Sequence, residues 1–252
     1  MSSERHDQNF DSIASKFEQN IYGTSKGRLR HELLHHRLAQ NIDLPAIRTV
    51  LDAGGGTGEM SKVLLDEGAI VTLSDISNET LSIAKHKCGN SASLSLLHSD
   101  ILALPATEYD LVICHAVLEW LSDPFSNIEK LIGMTKIGGY FSLTFFNKDA
   151  QMMGNLLYGN FDYVKQGMQV KNRVRLSPNN PLRPKDVIDF LHQQKVTMTS
   201  MAGIRCIHDY LKDPTMQQSH YEQLKDAELA YGDKEPFMWL GKYFHIIMRR
   251  DA

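Results

Sequence analysis

The stretch Val50-Leu-Asp-Ala-Gly-Gly-Gly-Thr-Gly-Glu59 joins an apolar segment to a loop with glycine at positions 54, 56 and 58. Glycine lets a backbone turn tightly and approach a ligand closely. A helix that begins directly after such a loop offers unpaired N–H groups to a polar or anionic ligand. The dinucleotide fingerprint G-x-G-x-x-G fits poorly, because Glu59 or Ser61 stands where its last glycine belongs. The loop therefore predicts a ligand site that is not a typical nicotinamide-dinucleotide site.

Apolar segments of strand length alternate with helical patterns on both sides of this loop. Such alternation indicates an α/β fold with a parallel sheet. The strands are predicted at 49–53, 69–74, 92–97, 110–115, 140–146, 195–202 and 238–249. The helices are predicted at about 10–21, 25–41, 58–67, 77–87, 117–136, 184–194 and 215–231. The sequence therefore predicts a doubly wound, seven-stranded, mostly parallel sheet that ends in a hairpin-like pair of strands.

The overall composition is that of a globular protein. The 252 residues are 42% hydrophobic and 23% charged, which argues against disorder as the main theme. No apolar run approaches the roughly 18–20 residues of a bilayer span, and the polar start of the chain does not resemble a signal peptide. The three cysteines, Cys88, Cys114 and Cys206, form no C-x-x-C pair. We therefore expect a cytoplasmic protein without a disulfide scaffold.

Charge is distributed unevenly along the chain. The net charge of −3, taken alone, argues against a dedicated nucleic-acid-binding protein. Residues 48–123 contain four basic and eleven acidic residues, a net charge of −7. Residues 161–185 contain six basic and one acidic residue, a net charge of +5. An acidic centre with basic flanks allows an anionic partner to bind at the flanks.

The form D-x-G-x-G-x-G of the glycine loop resembles the first motif of the class I S-adenosylmethionine-dependent methyltransferases. The rest of that pattern follows in order, with Asp75, Asp100-Ile101 and His115 at the ends of the next three strands. Ligands of open α/β sheets bind at the carboxyl ends of strands. The resemblance implies that Asp75 accepts the ribose hydroxyls, that Asp100 accepts the adenine amino group and that Ile101 covers the ring. His115 is then expected beside the methionine moiety.

The segment His31-Glu-Leu-Leu-His35 matches the zinc-protease signature H-E-x-x-H. Neighbouring leucines at helical spacing indicate an ordinary amphipathic helix instead. Catalytic zinc also needs a third protein ligand, and the sequence after this segment contains no recognisable candidate for one. We therefore expect no metal, and we expect His31, His35 and His36 to lie on a solvated basic face.

Five further segments are more distinctive than the glycine loop. They resemble segments of the bacterial tRNA 5-carboxymethoxyuridine methyltransferases, a resemblance that covers roughly residues 10 to 249. The segments are Phe10–Arg30, His115–Trp120, Gly159–Met168, Leu176–Pro178 and His208–Leu211. After Met168 this sequence has three cations up to Arg175, fewer than the lysine run of the family's pattern.

The resemblance implies methyl esterification of the carboxymethoxy group on the wobble uridine of tRNA, with S-adenosylmethionine as cofactor. The partner would be the anticodon stem-loop, and no obligate protein partner is evident. The implied cofactor site comprises Arg30, Gly54, Gly55, Asp75, Asp100, Ile101 and His115. The candidates for holding the substrate carboxylate are Tyr22, Lys26, Arg173, Arg175 and Arg205. The rings of Tyr158, Phe161 and Tyr163 are candidates either for stacking on a splayed base or for packing a cap.

A carboxylate acceptor requires no catalytic side chain. It is already ionised near neutral pH, so it needs placement rather than a general base. The sequence offers no Ser/His/Asp or Cys/His nucleophile arrangement. Two alternatives remain open, namely a methyltransferase for a small-molecule acid or quinone-like metabolite and a non-catalytic module that binds cofactor or tRNA.

We expect one methyltransferase domain over residues 1–252. Residues 1–45 would form an N-terminal helical extension, and 46–147 the cofactor-binding half. The long connections 148–183 and 204–237 would be insertions on the substrate side, because connections of this length in compact domains usually serve as lids or caps.

Overall fold

The computed structural model describes residues 11, 24–168, 178 and 180–252. The strands are β1 (Thr49–Ala53), β2 (Ile70–Asp75), β3 (Leu94–His98), β4 (Tyr109–His115), β5 (Thr135–Phe146), β6 (Val196–Ile204) and β7 (Tyr243–Arg250). The helices are α1 (Ser25–Asn41), α2 (Glu59–Asp66), α3 (Asn78–Cys88), α4 (Pro124–Gly133), α5 (Lys148–Leu157), α6 (Phe161–Lys165), α7 (Pro184–Leu191), α8 (Met216–Ser219) and α9 (Tyr221–Tyr231). Short 3-10 turns occur at Leu44–Ala46, Leu118–Trp120, His208–Tyr210 and Phe237–Leu240.

The strands form one seven-stranded sheet in the order β3-β2-β1-β4-β5-β7-β6. Strands β1 to β5 pair in parallel, and β7 runs antiparallel to both β5 and β6. This confirms the predicted seven-stranded, mostly parallel sheet. The parallel strands all end at one edge, which carries Ala53, Asp75, His115 and Phe146. Antiparallel β7 begins at the same edge, because Tyr243 pairs with Phe146.

Helices cover both faces of the sheet. On one face, Leu29 and Leu33 of α1 pack with Leu64 of α2 and Leu224 of α9 over buried strand residues. On the other face, the buried side chains of α4 and α7 pack on β1, β4, β5 and β7. The central strands are therefore covered on both sides, which explains their nearly continuous apolar sequences. Among the described residues, no helix is long and apolar enough to cross a lipid bilayer.

The helix predicted at 117–136 is interrupted. Leu118–Trp120 form only a 3-10 turn, and α4 begins at Pro124. Proline lacks an N–H group and is tolerated in the first turn of a helix but not in its interior. The side chain of Asp123 caps the new helix by accepting a hydrogen bond from the N–H of Ser126 at 3.2 Å. The interruption places residues 116–121 in a loop at the carboxyl edge of the sheet.

The last strand begins later than predicted, at Tyr243 instead of residue 238. The chain crosses itself at Gly241 and Gly203, where a Cβ on Gly241 would collide with the Cα of Gly203. The segment Phe237–Leu240 therefore turns before the chain enters the sheet. The connection after β5 also differs from the sequence-based expectation, because it contains α5, which the side chain of Asn147 caps, and α6. The predicted helix 215–231 is divided at His220, and the predicted helix 10–21 lies outside the described residues.

Candidate active site

A cavity lies along the carboxyl edge of the sheet, between the ends of β1 to β4, helix α1 and the start of β7. The residues predicted for the cofactor site converge there although they come from five separate segments. All seven line the cavity: Arg30, Gly54, Gly55, Asp75, Asp100, Ile101 and His115. Asp75, the last residue of β2, and Asp100, which follows β3, lie at one end. The other end is lined by residues of α1, β4 and β7, namely Arg30, His115 and Tyr243.

The glycine loop has a backbone that side chains would obstruct. Gly54 has a φ of +68°, and a Cβ there would lie 2.6 Å from Cγ2 of Val117. A Cβ on Gly55 would lie 2.7 Å from Cγ of Asp52. Gly56 has a φ of +56°, and a Cβ there would meet no atom within 4 Å. The first two glycines therefore permit close packing of the loop, and the third leaves open space within the cavity.

The carboxylate of Asp75 is held by the backbone. Its Oδ2 accepts a hydrogen bond from the N–H of Gly56 at 3.0 Å, and its Oδ1 accepts one from the N–H of Ser77 at 2.9 Å. Burial raises the pKa of Asp75, and these two N–H donors act against that rise. A carboxylate has about four acceptor positions, so each oxygen retains capacity for a ligand hydroxyl. Asp100 accepts the N–H of Leu102 at 2.7 Å and retains similar capacity.

Two buried acids also line the cavity and were not predicted from the sequence. Asp52 is buried and accepts a hydrogen bond from Oγ of Ser61 at 2.7 Å, and burial raises its pKa to about 6. Glu119 is only 1% exposed and accepts the N–H of Phe146 at 3.3 Å, and burial raises its pKa to about 7. Each acid interrupts an apolar run of the sequence, and this interruption is the sequence signal that could have identified it as a site residue. Together with Asp75 they give the cavity an acidic wall that suits a positively charged ligand.

His115 belongs to a buried chain of polar side chains. The Oγ of Ser142 lies 2.8 Å from Nε2 of His115 and 2.8 Å from Nε2 of His245. A hydroxyl has one proton to donate, so one of these histidines must carry its proton on Nε2. Burial lowers the pKa of both histidines, well below the ordinary value for His115 and to about 3 for His245. His115 is therefore neutral, and its Nε2 is engaged with Ser142.

The β7 end of the cavity combines a cation with aromatic rings. The guanidinium of Arg30, 8% exposed, lies 5.1 Å from the ring centroid of Tyr243. The Tyr243 ring meets that of Phe146 edge-on at 5.6 Å between centroids. Tyr243 could not be predicted from local sequence patterns, because only the register of β7 against β5 brings it to the cavity.

The expectation of a solvated basic face on α1 is wrong for His31. This side chain lines the cavity and is partly buried, and burial lowers its pKa. The reason is that α1 packs across the carboxyl edge, so Arg30, His31 and Leu34 face the cavity. In the described part of the chain, no group of three or more His, Cys, Asp and Glu side chains is arranged to hold a metal ion.

Of the five residues predicted to hold the substrate carboxylate, two are described in the structure, and neither lines the cavity. Arg205 is buried and does not line it, because its Nε donates to Asp209 at 2.8 Å in an internal ion pair. Lys26 is exposed near the start of α1. Tyr22, Arg173 and Arg175 lie outside the described residues. Of the three candidate rings, Tyr158 and Phe161 are exposed and Tyr163 is half-buried.

Comparisons with known proteins agree with this geometry. A family model described as a methyltransferase domain matches residues 51–143. The chain is 38% identical to the tRNA 5-carboxymethoxyuridine methyltransferase of Escherichia coli K12, with 97% of each chain covered. The chain belongs to the tRNA 5-carboxymethoxyuridine methyltransferase family. It is therefore a class I methyltransferase, and S-adenosylmethionine is its cofactor.

More distant relatives share parts of this chain or its fold. The ubiquinone biosynthesis O-methyltransferase of Vibrio vulnificus YJ016 is 33% identical, over 62% of this chain and 67% of the relative. The crystal structure of magnesium protoporphyrin IX methyltransferase from Synechocystis PCC 6803 superposes with a TM-score of 0.64, at 17% identity and with 96% of each chain covered. The second comparison supports the fold of a methyltransferase and no more.

Proposed function

We propose that this methyltransferase esterifies the carboxymethoxy group of 5-carboxymethoxyuridine at the wobble position of tRNA, giving 5-methoxycarbonylmethoxyuridine. The observation that carries the proposal is the 38% identity, over 97% of both chains, to an Escherichia coli enzyme named for that nucleoside. Identity over almost the full length includes the segments after β5, where an acceptor would bind, as well as the shared cofactor half.

The cavity supports a specific placement of the cofactor. Asp75, with two backbone N–H groups already bound, accepts the ribose hydroxyls through its remaining lone pairs. Asp100 accepts from the adenine amino group, and the buried side chain of Ile101 covers the ring. Gly54 and Gly55 let the backbone approach the methionine portion. Arg30 binds its carboxylate, and neutral His115 lies beside it.

The acidic wall fits the charge of this cofactor. S-adenosylmethionine supplies an electrophilic methyl group on a positively charged sulfonium. Asp52 and Glu119 are buried on the cavity wall with raised pKa values, so a nearby cation favours their ionised forms. Arg30 supplies the one complementary charge that the cofactor carboxylate needs. The residues present therefore suit the charges of the cofactor.

Esterification by this route needs no general base. A carboxylate oxygen forms a bond to the methyl carbon while the methyl–sulfur bond breaks, and no proton is transferred. His115 agrees with this chemistry, because it is neutral and its Nε2 is bound to Ser142. The contribution of the protein is then to exclude water and to orient two bound groups, which is catalysis by proximity.

A small-molecule acceptor is the second candidate. It is favoured by the 33% identity to an enzyme named for ubiquinone biosynthesis, although that match covers only 62% of this chain. A phenolic acceptor, unlike a carboxylate, must lose a proton near neutral pH. Two histidines line the described cavity: His115, which is already bound to Ser142, and His31. The carboxylate acceptor is better supported by the 38% identity over 97% of both chains.

Nucleoside mass spectrometry tests the proposal directly. tRNA from cells that lack this protein is incubated with the purified enzyme, with and without S-adenosylmethionine, and is then digested. We expect 5-carboxymethoxyuridine to decrease and a base-labile nucleoside that is one methyl group heavier to appear only with the cofactor. An unchanged modified uridine, from an enzyme that binds the cofactor, would contradict the proposal and direct the search to small acids.

A further inference from the structure

Lys242 is a half-buried cation directly before β7. Its backbone is fixed between two strand ends, because its N–H donates to the carbonyl of Arg205 at 3.2 Å and its carbonyl accepts from the N–H of Asn147 at 3.1 Å. Arg205 directly follows β6, and Asn147 directly follows β5. Lys242 therefore has a defined position at the carboxyl edge, immediately before β7.

The side chain of Lys242 is separated from the cavity wall by aromatic rings. Its Nζ lies 4.9 Å from the ring centroid of Phe146. Phe146 in turn contacts Tyr243, which lines the cavity and lies under Arg30. The ammonium group is thus placed beside the β7 end of the cavity, opposite the adenosine end at Asp75 and Asp100.

This ammonium group has no carboxylate partner among the described residues, where no acid lies within 4.0 Å of Nζ. The acid that acts on it electrostatically, Asp209, is already paired with Arg205. Burial and the like charges of Arg205 and Lys26 lower the pKa of Lys242. A cation that is partly removed from water beside other cations is unfavourable in the unliganded protein, and an anionic ligand would relieve this.

We propose that Lys242 binds the carboxylate of the acceptor, with Lys26 adding positive potential. The inference rests on the proposed function and names the cation that orients its substrate. An ammonium group attracts the ionised acceptor and loses that attraction when the carboxylate becomes a neutral ester. The same residue therefore favours binding of the substrate and release of the product.

The test compares two anticodon stem-loops, one with 5-carboxymethoxyuridine and one with uridine at the wobble position. Lys242→Met keeps the aliphatic stem over Phe146 and removes the charge. We expect its affinity for the modified stem-loop to fall about 30-fold, as for a charge-assisted hydrogen bond, and its affinity for the unmodified one to change less than about twofold. Lys242→Arg should restore part of the preference. Cofactor affinity, measured by calorimetry, should not change.

Lys234→Met is the matched control, because Nζ of Lys234 lies 5.4 Å from the ring centroid of Tyr231 on an exposed surface away from the cavity. It should leave both affinities unchanged. An equal loss for both stem-loops in Lys242→Met would indicate a phosphate contact and would overturn the inference, as would no loss. Failure of the wild-type enzyme to methylate the modified stem-loop would instead refute the proposed function, and this is measured separately.

Discussion

The two ends of the cavity are built from different parts of the chain and carry opposite charge. The adenosine end, where we propose that adenosine binds, is formed by consecutive strand–loop–helix units. It presents Asp75, the last residue of β2, and Asp100, which follows β3. The acceptor end, where we propose that the substrate binds, is formed by α1, β4 and β7, which are distant in sequence, and is lined by Arg30 and Tyr243. Lys242 lies behind these residues, over the ring of Phe146. In the proposed placement the difference follows the ligands, because the two acids accept from the hydroxyl and amino groups of adenosine, whereas Arg30 binds the cofactor carboxylate and Lys242 the acceptor carboxylate.

The largest effect on cofactor affinity is expected from a substitution in the glycine loop. Gly54→Val places a β-branched side chain at a φ of +68° and directly against Val117. Both the backbone strain and the collision act on the cavity wall, so we expect cofactor affinity to fall ~100-fold or more. Isothermal titration calorimetry with S-adenosylmethionine measures this loss.

Gly68→Val is the control for strain alone. Gly68 has a φ of +93°, and a Cβ there would meet no atom within 4 Å. It lies in the turn between α2 and β2, outside the cavity. This variant should lose stability but bind the cofactor normally, and equal losses of cofactor affinity in both variants would show that the effect is not local to the loop.

The second-largest expected effect is a pH-dependent change in the free energy of unfolding when Glu119 is replaced. Burial raises the pKa of Glu119 to about 7 from its ordinary value of 4.5, so the folded protein binds this proton more tightly than the unfolded chain does. The stabilisation is complete below about pH 4.5 and is lost as the pH rises through about 7. Glu119→Gln removes the titration and can still accept the N–H of Phe146. We therefore compare the free energy of unfolding of the variant with that of the wild type. This difference should shift in favour of the variant by on the order of 2–3 kcal/mol between pH 5 and pH 8.

Urea unfolding of the cofactor-free proteins at both pH values measures this difference. Glu129→Gln, on the exposed face of α4, is the matched control and should show no comparable change. If Glu119→Gln and the wild type differed by the same free energy of unfolding at pH 5 and pH 8, burial would not hold Glu119 in its uncharged form.

The glycines and acids that line the proposed adenosine end could be located from the sequence one by one. Its glycines and acids occur at strand ends, and strand ends follow from local hydrophobic patterns. The same patterns gave β1 and α1 with their observed limits. The acceptor end could not be predicted in this way, because Tyr243 and Lys242 reach it only through the register of antiparallel β7. The pairing of Arg205 could not be predicted for a related reason, since its partner Asp209 lies in the turn after β6 and occupies its guanidinium.

Asp75→Asn, at the adenosine end, is expected to cause a moderate loss of cofactor affinity. The amide keeps the size of the side chain but exchanges one acceptor oxygen for a donor, which conflicts with either the Gly56 or the Ser77 N–H group and with a ribose hydroxyl. We expect cofactor affinity to fall about 30-fold, or ~2 kcal/mol. Asp66→Asn, an exposed acid at the end of α2, should bind normally. Unchanged affinity for Asp75→Asn would exclude the ribose role.

The smallest effect is expected on the RNA side, at Tyr158. This ring is 87% exposed, so it contributes little to the core, and Tyr158→Ala should alter the free energy of unfolding by less than about 0.5 kcal/mol. If the ring stacks on a splayed base, the variant should bind the modified stem-loop about 5-fold more weakly, near the lower limit for base–aromatic stacking. Tyr231→Ala removes another exposed ring, on α9, and should not affect RNA binding.

Because base stacking does not distinguish the carboxylate, Tyr158→Ala should reduce the affinity for the modified and the unmodified stem-loop equally. A selective loss for the modified stem-loop would place Tyr158 with Lys242 in recognition of the carboxylate, and an unchanged affinity for both would exclude the ring from the RNA interface.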